Sequence, residues 1–164
     1  VNTMKLDFLF VYGKLREHYT FEDTFDVLSL ITIPVSTTGK LYDLDDEAIL
    51  FEDESSTVYG NLLSSTNLKT LLRHTDAYMG YNENDTENSR YVRVVKKVTV
   101  ETLGEEINVW CYIIPSSRRY NIEKKGILVE NGDWLKYIKE KKLKKLDDKT
   151  NLDSKNIRDI NAEK

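Results

Sequence analysis

LDFLFVYGKLR, residues 6–16, is an apolar run that ends at a glycine and turns abruptly polar. Its first part, LDFLFVYG (6–13), reads as a short buried strand, because a brief apolar stretch closed by a turn residue matches a core strand. Gly13 permits a turn, or a close backbone approach, that a side chain would resist. KLREHYTF (14–21) is then a loop or the first turn of a helix. Working outward, SLITIPVSTTGKLYDL (29–44) is β-rich, with Pro34 at a bulge or an edge. Residues 45–56 carry Glu52, Asp53, Glu54 and two serines, and are expected as an exposed turn. TVYGNLL (57–63) reads as another strand. SSTNLKTLLRHTDAY (64–78) opens with helix-start residues and continues with leucines at helical spacing.

NENDTENS (82–89) holds no apolar residue and is a loop. RYVRVVKKVTVET (90–102), LGEE and INVWCYIIP (107–115) form a predicted β-hairpin. Val98, Val100, Ile107, Val109, Cys111 and Ile113 are placed on its inward face by their alternation. Residues 116–126 read as a loop. GILVENGDWLKYIKEKKLKKL (126–146) starts with a short apolar piece and becomes a helix with Trp134, Leu135 and Ile138 on one side. The expected division is a single domain over 1–146 and a charged tail over 147–164 that frays. About five strands and two helices in mixed order indicate an α+β fold. A small barrel fits the near-uniform apolar content of the strands, although periodicity alone does not establish closure.

The chain has 164 residues, 40% hydrophobic and 32% charged, which is enough for one core without staples. No apolar run approaches the roughly 18 residues of a membrane helix. Lys5 and Asp7 interrupt the first apolar stretch, against a signal peptide. The residues before Met4 are either an added remnant or part of the natural chain. Cys111 is the single cysteine and the histidines are two, so neither a disulfide, a thiol cluster nor a His-rich zinc site is expected. The reducing cytoplasm is the expected compartment. Net charge is −4, unevenly spread: residues 136–164 hold 10 basic and 6 acidic side chains, leaving 14 and 22 for the rest. That acidic body argues against a nucleic-acid groove. The basic end reads as a solvated helix face, or else as a contact for a polyanion.

Six pieces then stand in a telling order: FVYGKLR (10–16), TGKLYDL (38–44), VYGNLL (58–63), DAYMGYNENDTENSRYVR (76–93), VWCYII (109–114) and ENGDW (130–134). Together they resemble the gamma-glutamylcyclotransferase-like family over roughly residues 6–137, and most of all its bacterial branch with an antibiotic-tailoring cyclotransferase. The resemblance implies a small mixed β-barrel with flanking helices and a cavity at one end. It implies a reaction without metal or organic cofactor on a small γ-glutamyl or amino-acid-like ligand. The α-amine of a γ-glutamyl group attacks the γ-amide carbonyl, forms 5-oxoproline and releases an amine. Such transferase or lyase chemistry needs a carboxylate to move the proton, donors for the oxyanion, and a folded glutamyl chain.

On this resemblance, Tyr12, Gly13, Lys14 and Leu15 form the bend whose amides converge on a substrate oxygen; the alternative is a plain strand-end turn. Lys14 departs from the family's Thr or Ser. Tyr91 and Tyr112 match cavity tyrosines, or else line the barrel with satisfied hydroxyls. Arg93 either pairs with a ligand carboxylate or with a structural acid such as Asp76. Trp134 is a core residue, and Asp133 is expected to cap the helix there. TDAYMGY (75–81) aligns with the family's aspartate-x-x-glutamate-glycine-tyrosine, which puts Met79 on the catalytic glutamate. A thioether has no titratable proton. Losing general acid/base help costs about 10²–10⁴-fold, so no catalytic residue is intact on this reading. The alternatives are an altered sequence, or a carboxylate moved elsewhere, with Glu83, Glu17, Asp76 and Glu52 as candidates. The chain is then an impaired cyclotransferase, a non-catalytic binder of a small ligand or protein in the same cavity, or a scaffold with a filled pocket.

Overall fold

A computed structural model of the protein describes residues 6–21 and 31–162; the segment before Met4 and Ser29–Leu30 lie outside the described residues. The chain divides into two compact units, Val1–Trp134 and Leu135–Lys164. In the first, β1 (Leu9–Val11), β5 (Thr57–Ser64), β2 (Ile31–Thr38), β6 (Val92–Val100) and β7 (Glu105–Ile113) close a barrel in that order. Every pair is antiparallel except β7 with β1, where Leu9 faces Trp110 in parallel register and completes the circle. Closure leaves the barrel without an edge strand.

β6 and β7 form the predicted hairpin, in register from Val92 opposite Ile113 to Val100 opposite Glu105. Val98, Val100, Val109 and Cys111 are buried as their alternation requires. Pro34 is exposed opposite Asn61, outside the short stretch where β2 also pairs with β6. Leu9, Phe10, Leu62 and Leu63 are fully buried where β1 meets β5. Each contributes about 1.5–3 kcal/mol by leaving water.

Three segments differ from expectation. Residues 45–56 are not simply an exposed turn: Glu47–Phe51 is a strand, β4, whose last four residues are buried. It pairs with β3 (Lys40–Leu44), which also carries β8 (Ile127–Leu128), as a separate three-stranded sheet. The acidic flanks masked the AILF core of β4. Its hairpin turn is Asp45–Asp46, both with positive φ (52° and 68°), as two-residue hairpin turns of mirror-image type demand. Residues 14–21 form helix α1 (Lys14–Phe21), and the expected loop at 116–126 contains a 3₁₀ turn and helix α3 (Arg119–Lys125). Helix α2 (Leu68–Met79) lies where the leucine spacing placed it, with the Asn67 side chain accepting from the Thr70 amide as its N-cap.

Helix α4 (Trp134–Ala162) carries most of the second unit and runs past residue 146. Leu143, Leu146 and Leu152 are exposed on it. Among the described residues no helix is long and apolar enough to cross a membrane.

Candidate functional site

β1 ends at Val11, and after Tyr12 the chain bends at Gly13 into α1. A Cβ on Gly13 would lie 2.4 Å from the Ala48 Cβ of β4, so only glycine lets the bend lie against that strand. The Gly13 carbonyl accepts from the Glu17 amide at 3.0 Å and starts the helix. The amides just after it belong to a first helical turn, where N–H groups have no partner within the helix. Three contacts hold this turn. Arg16 donates Nε to Asn61 Oδ1 at 2.7 Å and Nη1 to Asp133 Oδ1 at 2.8 Å. Trp134, 1% exposed, donates its indole N–H to Glu17 Oε2 at 3.1 Å. The ENGDW piece therefore acts on the bend: Asp133, the residue before α4, anchors Arg16.

Helix α2 stops at Gly80, whose φ of 67° is left-handed. The Gly80 amide donates to Ala77 O and the Tyr81 amide to Asp76 O, which satisfies the last carbonyls. Met79 is the final helical residue. The loop 82–89 folds on itself through Ser89 Oγ, which donates to Asp85 O and accepts from the Asn82 amide. It returns the chain so that the Arg90 amide donates to Gly80 O at 2.9 Å.

These elements enclose a cavity of about 320 Å³. Tyr12, Gly13, Lys14, Leu15, Met79, Tyr91 and Tyr112 all line it. So do Asp45, Glu47, Tyr78 and Arg90, none of which the sequence singled out. The missed signal was local: an Asp-Asp pair between LYDL and EAILF is a hairpin turn, and it delivers Glu47 to the cavity wall.

The hydroxyls of Tyr12, Tyr91 and Tyr112 are committed to protein partners. Tyr12 donates to the Tyr112 carbonyl at 2.7 Å. Tyr112 Oη lies 2.5 Å from Asp76 Oδ1 and 2.6 Å from Thr75 Oγ1. Tyr91 donates to Glu47 Oε1 at 2.8 Å and reaches Ala48 O at 3.1 Å. Burial, more than any other cause, pushes all three phenols well above their ordinary range, so they stay protonated; the Glu47 charge adds to the effect at Tyr91. Arg90 forms an ion pair with the other Glu47 oxygen, and its guanidinium stands 5.9 Å from the Tyr91 ring centre.

Arg93 is elsewhere. It is absent from the cavity lining and holds Asp76 through two hydrogen bonds, 2.8 and 3.2 Å, with its guanidinium 4.4 Å over the Trp110 ring. β6 starts at Val92, so Tyr91 lies just before the strand that carries Arg93. Glu17, Glu52, Asp76 and Glu83, the sequence's candidates for a moved carboxylate, do not line the cavity. Glu52 pairs with buried Lys96 at 3.0 Å, and Glu83 is exposed in the loop. Among the described residues no group of three or more His, Cys, Asp or Glu is placed to hold a metal ion. Burial raises the Cys111 thiol well above its usual range.

A family model described as gamma-glutamyl cyclotransferase, AIG2-like, matches residues 9–136. Among curated protein sequences none matches. Solved structures share the fold at low identity. An Arabidopsis thaliana protein solved in solution is 18% identical with a TM-score of 0.53, over 76% of this chain and 87% of its own. A second from Arabidopsis thaliana is 18% identical at 0.52, over 92% and 86%. A mouse AIG2-like protein is 17% identical at 0.50, over 68% and 78%. With the motifs in order, the barrel closed and the family model spanning β1 to the start of α4, the chain belongs to the gamma-glutamyl cyclotransferase, AIG2-like family.

Proposed function

We propose that the cavity beside the Tyr12–Leu15 bend binds a small ligand with a γ-glutamyl or amino-acid-like head, and that cyclisation to 5-oxoproline is impaired there. One observation carries this: Met79, at the position of the family's acid/base glutamate, lines the same cavity as the bend. A methionine there keeps the volume of a glutamate but cannot exchange a proton. The scaffold reading loses ground because a hollow of about 320 Å³ is open beside Met79.

The chemistry divides among residues of this chain. Amides at the start of α1 are the donors for the developing oxyanion. The phenol rings of Tyr91 and Tyr112 bound the space in which the glutamyl chain folds back on itself. Lys14 and Arg90 stand with Asp45 and Glu47 around one hollow, a balance of charge that suits a zwitterionic head. That balance also favours a second reading, a binding module without turnover. The test is 5-oxoproline release from γ-glutamyl amines by the natural chain and by Met79→Glu, beside calorimetric binding of the same amines. A gain of about 10²-fold or more in the glutamate variant is expected. Equal rates in the two proteins would refute the role given to residue 79.

A further inference from the structure

We infer that Glu47 is the proton-accepting carboxylate the cavity retains, and that turnover by the natural chain runs through it. The inference rests on the reading above that a γ-glutamyl amine binds in this cavity.

Among the described residues lining the cavity, Asp45 and Glu47 are the carboxylates. Asp45 is exposed in the left-handed hairpin turn. Glu47 is the first residue of β4, one position before Ala48, the residue that Gly13 lies against. Glu47 lines the same hollow as the bend that would hold the reacting carbonyl. It is also oriented: Tyr91 donates to one oxygen and Arg90 pairs with the other. Each carboxylate oxygen has a second lone pair, so either can still accept from a ligand N–H. Tyr91, kept protonated by burial, remains a donor to Glu47 and does not compete for the proton.

The step balances without a co-reactant. The ligand's α-nitrogen forms a bond to the carbonyl carbon of its γ-amide, and its surplus proton passes to the Glu47 carboxylate. The amides at the start of α1 hold the oxyanion. As the carbonyl re-forms, the bond from that carbonyl carbon to the departing amine nitrogen breaks and that nitrogen takes the proton from Glu47. One 5-oxoproline and one amine leave, and Glu47 returns to its starting state.

The experiment compares the natural chain, Glu47→Gln, Met79→Glu and the double variant. L-γ-glutamylethylamide serves as ligand, with calorimetric binding and 5-oxoproline release both measured. Glu47→Gln is expected to lower release at saturating amide by about 10²-fold or more in the natural background, with binding of the amide still measurable. In the Met79→Glu background the same change is expected to cost under about tenfold, because the second carboxylate then carries the proton. A merely structural Glu47 would lower both backgrounds alike, and that result would overturn the proposal. So would undiminished release by Glu47→Gln, or tight binding with no release by the natural chain; either leaves the binding reading standing. If no variant binds the amide, the reading of the cavity falls and this inference with it. Circular dichroism of Glu47→Gln, with Glu47→Asp as a second variant, separates loss of fold from loss of the carboxylate's reach.

Discussion

Arg93 grips both carboxylate oxygens of Asp76, at 2.8 and 3.2 Å, and the Tyr112 hydroxyl meets the nearer oxygen at 2.5 Å. The cluster ties α2 to β6 and β7 behind the cavity. Removing one partner strands a largely buried charge. Arg93→Met is therefore expected to lose about 3 kcal/mol in denaturant unfolding. Ligand affinity of the folded protein should hold, since Arg93 is outside the lining; a large loss of affinity at full folding would return Arg93 to the ligand.

Gly13 has no room for a side chain. A methyl group there would stand 2.4 Å from the Ala48 Cβ, so either the bend or β4 must move. Gly13→Ala should cost about 1–3 kcal/mol by overpacking. Adding Ala48→Gly should recover part of that loss, a coupling that a double-mutant cycle measures directly. Purely additive costs would mean the two residues do not press on each other.

Arg16 joins α1 to Asn61 on β5 and to Asp133, and it is mostly buried. Arg16→Ala leaves both acceptors without this donor and should destabilise the protein by about 1–3 kcal/mol. Because α1 carries the bend, ligand affinity should fall as well, by about tenfold. Arg16→Lys reaches one acceptor at a time and should restore little, since the fork geometry is what is used.

Stability should decline in alkali. Tyr12, Tyr91, Tyr112 and Cys111 all hold their protons more tightly when folded than their ordinary values of 10.0 and 9.0. Below pH about 9 both states are protonated and the full stability is present. Above it the unfolded chain loses protons that the native chain keeps, so the unfolded state gains. The slope reaches about 1.4 kcal/mol per pH unit for each group that titrates only on unfolding. Denaturant midpoints from pH 8 to 11 should fall, and Tyr91→Phe should flatten the fall. A flat profile would mean these hydroxyls are open to hydroxide in the native state.

Much of the fold was legible because its signals are local. Leucine spacing marked α2, alternation marked β6 and β7, and a glycine after an apolar run marked the end of β1. β4 was lost because its apolar core is short and its neighbours are acidic; burial on a second sheet, not its own pattern, makes it a strand. α1 was left ambiguous for a related reason. KLREHYTF has little apolar character of its own, and contacts made by Arg16 and Glu17 with residues 45 to 117 positions away hold it.

From its order of residues alone, this chain carried its family, its α+β class and the position of Met79 at the end of a helix. Those are matters of spacing, and spacing is written along the chain. Which groups share the hollow was decided only when the barrel closed. Tyr91 and Glu47 are 44 residues apart, and Arg93 turned to Asp76 because the neighbouring helix offered a carboxylate there. Side-chain direction at such sites follows from non-local strand pairing and burial, which no stretch of sequence contains by itself.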